Sequence, residues 1–241
     1  MGYTGRKERK GGGAMGPVTT LPLEKTAQVD LRQAARYFGE PGEPDAATLA
    51  LLARVAPPVL AAAMPRAVWR RCDVAELEAS GFLRGQDVPA HLADCDEALL
   101  LAVTLGAGVD RQIRLSGIGD IAAGVAADAL ASALAEQSAD QAEALLRQRV
   151  TAEGRYLTCR YSPGYGDWPV TVQPQAAELL DAGRQIGLYV TDTALMTPRK
   201  SVTALLGVSH RPVTGHLAGC GHCALRDRCE YRKRGKTCAS Q

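Results

Sequence analysis

Apolar residues recur along the chain at two spacings, one typical of amphipathic helices and the other of strands. Helical spacing predicts helices over 31–38 and 46–64. Pro57 and Pro58 lie inside the second of these and are predicted to kink or split it, because proline lacks the backbone donor. The run 98–105 is continuously apolar, as in strands that are covered on both faces.

The remaining segments add helices and strands in no regular alternation. Asp120 is a candidate N-cap for the longest predicted helix, 121–150, whose many alanines allow close packing and a central position. Shorter helices are predicted at 87–92, 109–115 and 175–183. Further strands are predicted at 67–74, 155–160, 186–190 and 201–208. This order favours the α+β class, with a mixed or antiparallel sheet flanked by helices.

Composition narrows the class of protein. The 241 residues are 46% hydrophobic and 22% charged, which is typical of a globular chain. A net charge of +2 is too small to indicate nucleic acid as the main partner, and no apolar run is long enough to span a bilayer. We therefore expect a cytoplasmic protein. Residues 1–21 are basic and glycine-rich and are predicted to be a disordered extension, 22–212 to be the folded domain, and 213–241 a cysteine-rich tail.

A loop with binding-site character follows the predicted strand at 155–160. Its sequence runs from Arg160 through Ser162, Gly164 and Tyr165 to Trp168. The arginine can hold a carboxylate through two parallel hydrogen bonds, the Pro-Gly pair lets the main chain approach a ligand, and the aromatic rings offer flat surfaces. The alternative is an ordinary turn with an arginine at its edge.

Two further segments are candidates for a site. Glu136 and Asp140 are four residues apart on the long helix and share one face, where they can receive an ammonium group, lie beside a sulfonium, or form a solvated surface. The polar segment 191–202 connects two predicted strands and can reach over a pocket, contact a partner, or serve as a plain connection. The body of the chain shows no Ser/His/Asp or Cys/His arrangement, so we predict no catalytic nucleophile or acid–base pair.

Taken in order, these motifs resemble a known family. The run RYSPGYGDWP from Arg160, the run RQIGL from Arg184 and the run LMTPRKSVTA from Leu195 are similar to the reactivation domain of cobalamin-dependent methionine synthase, and most similar to its free-standing form. The resemblance extends from about residue 30 to residue 208. It implies a helmet-shaped α+β domain.

The resemblance also implies a function. Such a domain binds S-adenosylmethionine beside the docked cobalamin-binding domain of methionine synthase, and cobalamin is carried by that partner. An electron from a flavodoxin-like donor, with the methyl group of S-adenosylmethionine, restores methylcobalamin from cob(II)alamin. The family's carboxylate-binding arginine falls on Arg160, the adjoining contact strip on Ser162, Gly164 and Tyr165, and an acidic ligand position on Asp140 with Glu136 as its neighbour.

The tail contains four of the seven cysteines. Cys220, Cys223, Cys229 and Cys238 have ligand-like spacing, and four thiolates can enclose zinc or hold an iron–sulfur cluster. His216 or His222 can replace the last cysteine as the fourth ligand. The alternative is a reduced, disordered tail.

Two other functions are consistent with parts of the sequence. One is a nucleic-acid-binding module with a small zinc knuckle, which the basic residues at both ends favour and the near-neutral body opposes. The other is an iron–sulfur redox carrier that passes electrons to corrinoid proteins.

Overall fold

The computed structural model describes residues 15–40 and 42–213. The first fourteen residues of the predicted extension and the four tail cysteines lie outside the described residues.

An antiparallel sheet is the centre of the described part. Its strands are β1 (Thr19–Leu21), β2 (Arg66–Asp73), β3 (Glu97–Thr104), β4 (Tyr156–Leu157) and β7 (Ser201–Ser209), and a separate small pair is formed by β5 (Tyr189–Val190) and β6 (Met196–Thr197). The order across the large sheet is β1-β2-β3-β7-β4. Every neighbouring pair is antiparallel, so of the two sheet types allowed by the sequence the antiparallel one is confirmed.

Helices cover both faces of this sheet. They are α1 (Leu31–Phe38), α2 (Ala46–Ala62), α3 (Val74–Ala79), α4 (Asp87–His91), α5 (Ala107–Ser116), α6 (Ile121–Ala152), α7 (Gln173–Leu179) and α8 (Ala182–Ile186). Side chains of β3 alternate between the faces: Leu100 packs in a cluster with Phe82 and Trp168, and Leu101 packs with Leu146 of α6. This is the α+β fold that the sequence predicts, with the middle strand covered on both sides.

The long alanine-rich helix α6 is central, as predicted. The Asp120 side chain accepts a hydrogen bond of 2.9 Å from the Ala123 amide and caps the helix. Alanines such as Ala127 and Ala131 are fully buried against α1 and α2, because a methyl side chain lets the helices approach closely. This helix carries the acidic residues of the site described below.

The prediction that the prolines split the second helix is wrong. Residues 46–62 form one continuous helix that includes Pro57 and Pro58. Both prolines are exposed, whereas Val55 and Val59 are buried. The backbone hydrogen bonds that the two prolines cannot donate therefore fall on the solvent face of the helix. Water can satisfy the carbonyls left without a donor there, and the buried face of the helix retains its packing.

Other differences are local. β1 lies at the end of the segment predicted to be disordered, so that prediction is wrong for residues 19–21: they pair with β2, and Leu21 is buried. The single helix predicted at 175–183 is two helices, α7 and α8, because Asp181 between them has a φ of 47°, which ends the right-handed helical conformation. Within the described ranges, none of the helices is both long and apolar enough to cross a membrane.

Candidate functional site

The site forms where the segment after β4 crosses the middle of α6. Tyr161 pairs with Leu205 of β7 through two backbone hydrogen bonds of 2.9 and 2.8 Å, which fixes the chain next to the sheet. Its neighbour Arg160 extends across to α6 and reaches Glu136 and Asp140. The sequence separates these groups by at least 20 residues, and the fold brings them into contact.

Arg160 lies among three carboxylates. Its Nη2 atom donates to Asp140 Oδ1 at 2.7 Å and to Glu136 Oε2 at 3.3 Å. Its Nη1 atom is 3.3 Å from Glu143 Oε2, but this approach is not aligned for a hydrogen bond, and Nη1 is buried without a hydrogen-bond partner. The guanidinium is thus held on one side and has an unsatisfied donor on the other.

The Arg160 side chain also lines a cavity. The cavity has a volume of about 170 Å³. It is lined by Glu136, Glu143, Cys159, Arg160, Ser162, Tyr165 and Val202. A small cavity with a buried guanidinium and two carboxylates in its wall is suited to the amino-acid end of a ligand, which carries both a carboxylate and an ammonium group.

The charges in the site influence one another strongly. Burial raises the pKa of Glu136 above its ordinary value, and the charge of Asp140 raises it further, while Arg160 opposes both. Burial by itself lowers the pKa of Arg160, but its hydrogen bond to Asp140 and the three surrounding carboxylates together raise it. Arg160 is therefore cationic at every relevant pH, and the carboxylates outnumber it.

Two tyrosines belong to the same surroundings. The pKa of Tyr37, on α1, is raised to about 12 by burial and by the nearby charges of Glu136 and Tyr165. Tyr37 is therefore a neutral hydroxyl at physiological pH. The Tyr165 ring packs edge-on against Tyr161 with 5.9 Å between centroids, and more than half of Tyr165 is exposed. An exposed aromatic surface thus lies beside the cavity.

The predicted site residues are largely brought together. Glu136, Arg160, Ser162 and Tyr165 line the cavity, and Asp140 contacts Arg160 directly. Gly164 is not among the lining residues, although its φ of +95° shapes the loop that carries them.

Sequence reasoning missed three residues around the cavity: Tyr37, Glu143 and Cys159. Only Glu143 carries a detectable signal, since it is three residues after Asp140 and so continues the acidic face of α6. The candidate segment 191–202 contributes one lining residue to this cavity, Val202 at its end.

Metal ligands are a separate question. In residues 15–40 and 42–213 there is no group of three or more His, Cys, Asp or Glu side chains that could hold a metal ion. The predicted ligands Cys220, Cys223, Cys229 and Cys238 all lie beyond that part of the chain.

Comparisons with known proteins place this fold. A search of curated proteins finds no match to the sequence. Among solved structures, the chain is similar to the MetH reactivation domain bound to AdoHcy, with 17% sequence identity and a TM-score of 0.53. The match covers 91% of this chain and 86% of the other, and it shows a shared fold. The family model of the vitamin B12-dependent methionine synthase activation domain matches residues 89–234, more than half of the chain, and this protein belongs to that family.

Proposed function

We propose that this protein binds S-adenosylmethionine in the cavity beside Arg160 and presents its methyl group to cobalamin on the cobalamin-binding domain of a methionine synthase. Membership of the activation-domain family supports the role, and the fold is shared with a reactivation domain that binds AdoHcy. Neither alternative, the nucleic-acid module or the general redox carrier, is supported by the comparisons.

The observation that carries the proposal is the cavity whose wall holds the largely buried guanidinium of Arg160 together with two carboxylates. Nη1 approaches Glu143 Oε2 at 3.3 Å without an aligned hydrogen bond, so the protein partners of this guanidinium do not satisfy it fully. A ligand carboxylate in the cavity competes with Glu143 for this side of the guanidinium, while Asp140 and Glu136 hold Nη2. We assign Arg160 to the carboxylate of the ligand.

The excess of carboxylates suits the positive groups of the same ligand. S-adenosylmethionine carries an ammonium and a sulfonium, and Glu136 and Glu143 both line the cavity. Arg147 holds the other oxygen of Glu143 at 2.6 Å, which keeps this carboxylate in place. We assign the acidic face of α6, including Asp140, to the cationic end of the ligand.

The cavity volume limits how the ligand is held. About 170 Å³ is below the roughly 300–1,000 Å³ of pockets that enclose a drug-sized molecule. It therefore accommodates the amino-acid end, and the adenosine lies outside, along Ser162, Gly164 and the exposed ring of Tyr165. This arrangement leaves the sulfonium methyl near the surface, where a partner's cobalt can approach it.

The role requires positioning rather than acid–base chemistry. Cobalamin held by the partner would supply the methyl acceptor, in the cob(I) state that one electron from a donor protein would produce, and we propose a flavodoxin-like class for that donor. This protein would supply the methyl group from the sulfonium, which would leave as the neutral sulfur of S-adenosylhomocysteine. Sulfonium is already an activated leaving group, so the protein contributes mainly by holding it in line.

Two measurements test the proposal. Calorimetric titration of the full chain with S-adenosylmethionine should give saturable heat, and the Arg160→Ala variant should saturate only at higher ligand concentration. Added to a methionine synthase whose cobalamin has been oxidised, together with a reductant and S-adenosylmethionine, the wild type should speed recovery of methylcobalamin. Absence of binding by folded protein at millimolar ligand, even with the partner present, would refute the proposal.

A second proposal concerns the tail. We infer that Cys220, Cys223, Cys229 and Cys238 bind a metal centre, zinc or an iron–sulfur cluster, with His216 or His222 as the substitute fourth ligand. Metal analysis and an absorption spectrum of anaerobically purified protein distinguish the two. Serine variants of Cys220 and Cys223 should lose the metal, whereas a Cys72→Ser control should retain it. Metal-free wild type purified anaerobically would contradict this proposal.

A further inference from the structure

Two tight turns from distant parts of the chain face each other beside the ligand loop. The first turn contains Gly85 and leads into α4, and the second contains Gly166 and follows the loop residues Ser162 to Tyr165. Both glycines have a positive φ, +86° and +52°. A Cβ on Gly85 would lie 2.3 Å from Asp167 Oδ1, and one on Gly166 would lie 2.0 Å from Asp87 Oδ2. The two turns therefore approach as closely as glycine allows.

Reciprocal carboxylate–amide hydrogen bonds join the two turns. Asp167 accepts from the backbone amides of Gln86 at 2.6 Å and Asp87 at 3.0 Å. In return, Asp87 Oδ2 accepts from the Asp167 amide at 3.0 Å. These amides lower the pKa of Asp167 below its ordinary value. We call these three hydrogen bonds the Asp87–Asp167 clasp.

The clasp holds one end of the ligand loop, and β7 holds the other. At the first end, Tyr161 pairs with Leu205; at the second, the Trp168 indole donates to Phe82 O at 3.0 Å directly after the clasp. Between these ends, the Gly164 amide donates to Trp168 O at 2.8 Å. The contact strip is thus a short loop whose position depends on two anchors, and the clasp lies only two residues beyond Tyr165.

We propose that Asp167 and Asp87 are positioning residues, which set the ligand loop in its binding geometry before the ligand arrives. The proposal rests on the proposed function insofar as it concerns the ligand. A loop that is already ordered loses less conformational freedom on binding, so affinity is higher than for a loop that must be ordered by the ligand. Neither aspartate lines the cavity. Their effect on the ligand is therefore exerted through the loop.

The test compares Asp167→Ala with a matched control elsewhere in the fold. Asp73 caps α3 by accepting from the amides of Ala75 and Glu76, so Asp73→Ala also removes a carboxylate that holds two backbone amides. We expect Asp167→Ala to weaken S-adenosylmethionine binding roughly fivefold, the usual size of a lost carboxylate–amide cap, while Asp73→Ala leaves affinity unchanged. Asp167→Asn retains one acceptor oxygen and should fall between wild type and Asp167→Ala, which also provides a milder variant should alanine prevent folding.

Amide hydrogen exchange gives a readout that needs no ligand. Peptides covering 162–168 should exchange faster in Asp167→Ala than in wild type or Asp73→Ala, and peptides of β7 should not differ. Unchanged exchange in that loop overturns the proposal, as does faster exchange with unaltered affinity. A wild type that binds no ligand contradicts the proposed function, and the exchange data still decide whether the clasp orders the loop.

Discussion

The pairing of Arg160 with a ligand carboxylate can be tested by removing each partner in turn. Asp140 and Glu136 hold Nη2 of Arg160, whereas Nη1 has no aligned hydrogen bond, so we expect the ligand carboxylate to bind on the Nη1 side. A hydrogen bond between charged groups contributes about 1.5–3 kcal/mol. Arg160→Ala should therefore weaken S-adenosylmethionine binding roughly ten- to hundredfold.

A ligand that lacks the carboxylate removes the second partner, and together the two changes form a thermodynamic cycle. Decarboxylated S-adenosylmethionine retains the sulfonium, the ammonium and the adenosine but cannot accept from Nη1. Wild type should bind it more weakly than S-adenosylmethionine by the same ten- to hundredfold factor. Arg160→Ala should lose the preference for S-adenosylmethionine, because the partner of the ligand carboxylate is already absent. Calorimetric titration of the four combinations measures the coupling.

The chain offers a matched control for this cycle. Arg155 is as buried as Arg160, with side chains 12% and 15% exposed, and it also pairs with two carboxylates, those of Asp96 and Glu97. Arg155→Ala should lower the melting temperature but leave both affinities unchanged. If Arg160→Ala still distinguishes the two compounds as strongly as wild type does, Arg160 does not bind the carboxylate and the assignment is wrong.

Three further predictions follow from other residues of the structure. Burial raises the pKa of Glu136 in the folded protein, so the ionised form of this side chain costs stability near pH 7. Glu136→Gln should therefore raise the melting temperature near pH 7 and lose that advantage below the ordinary pKa of 4.5, as scanning calorimetry at both pH values would show. The same variant should bind the ligand more weakly in a calorimetric titration. Alanine favours helices over glycine by about 1 kcal/mol, but a Cβ at Gly124 would lie 2.8 Å from the Cα of Gly117, so Gly124→Ala should lower the melting temperature. A higher melting temperature would show that α5 can shift to make room. Cys159 lines the cavity, so bound S-adenosylhomocysteine should slow the alkylation of Cys159, measured by peptide mass spectrometry, and leave the alkylation of buried Cys72 unchanged. Equal alkylation rates of Cys159 with and without the ligand would place the ligand elsewhere.

Local signals explain which elements the sequence predicts well. The start of α6 is specified by the Asp120 cap and its length by a proline-free run rich in alanine and leucine. β3 is recognisable because seven consecutive apolar or small residues cannot be exposed together. By contrast, β1 has three residues and exists only through pairing with β2, so nothing in its own composition distinguishes it from an extended tail.

The residues of the site likewise comprise some that the sequence reveals and some that only the fold brings in. Arg160 and the glycine-kinked loop can be identified because one short segment contains them. Tyr37 is more than 120 residues from Arg160 along the chain, and only the packing of α1 on α6 places it in the charged surroundings of Glu136. Likewise, α6 carries several carboxylates, and the position of Arg160 decides which of them contact it. Such relations depend on tertiary structure and have no local signature.

The energetics of the site connect its charge with its rigidity. Two guanidiniums, those of Arg160 and Arg147, face three carboxylates, and burial raises the pKa of one of them, Glu136. A ligand with two positive groups and one carboxylate adds one net positive charge, which we expect to reduce the repulsion among these carboxylates. The Asp87–Asp167 clasp and the Tyr161–Leu205 pair hold the loop beside these charges at both of its ends. A charged, partly unsatisfied cavity and a rigid loop are therefore two parts of one binding device.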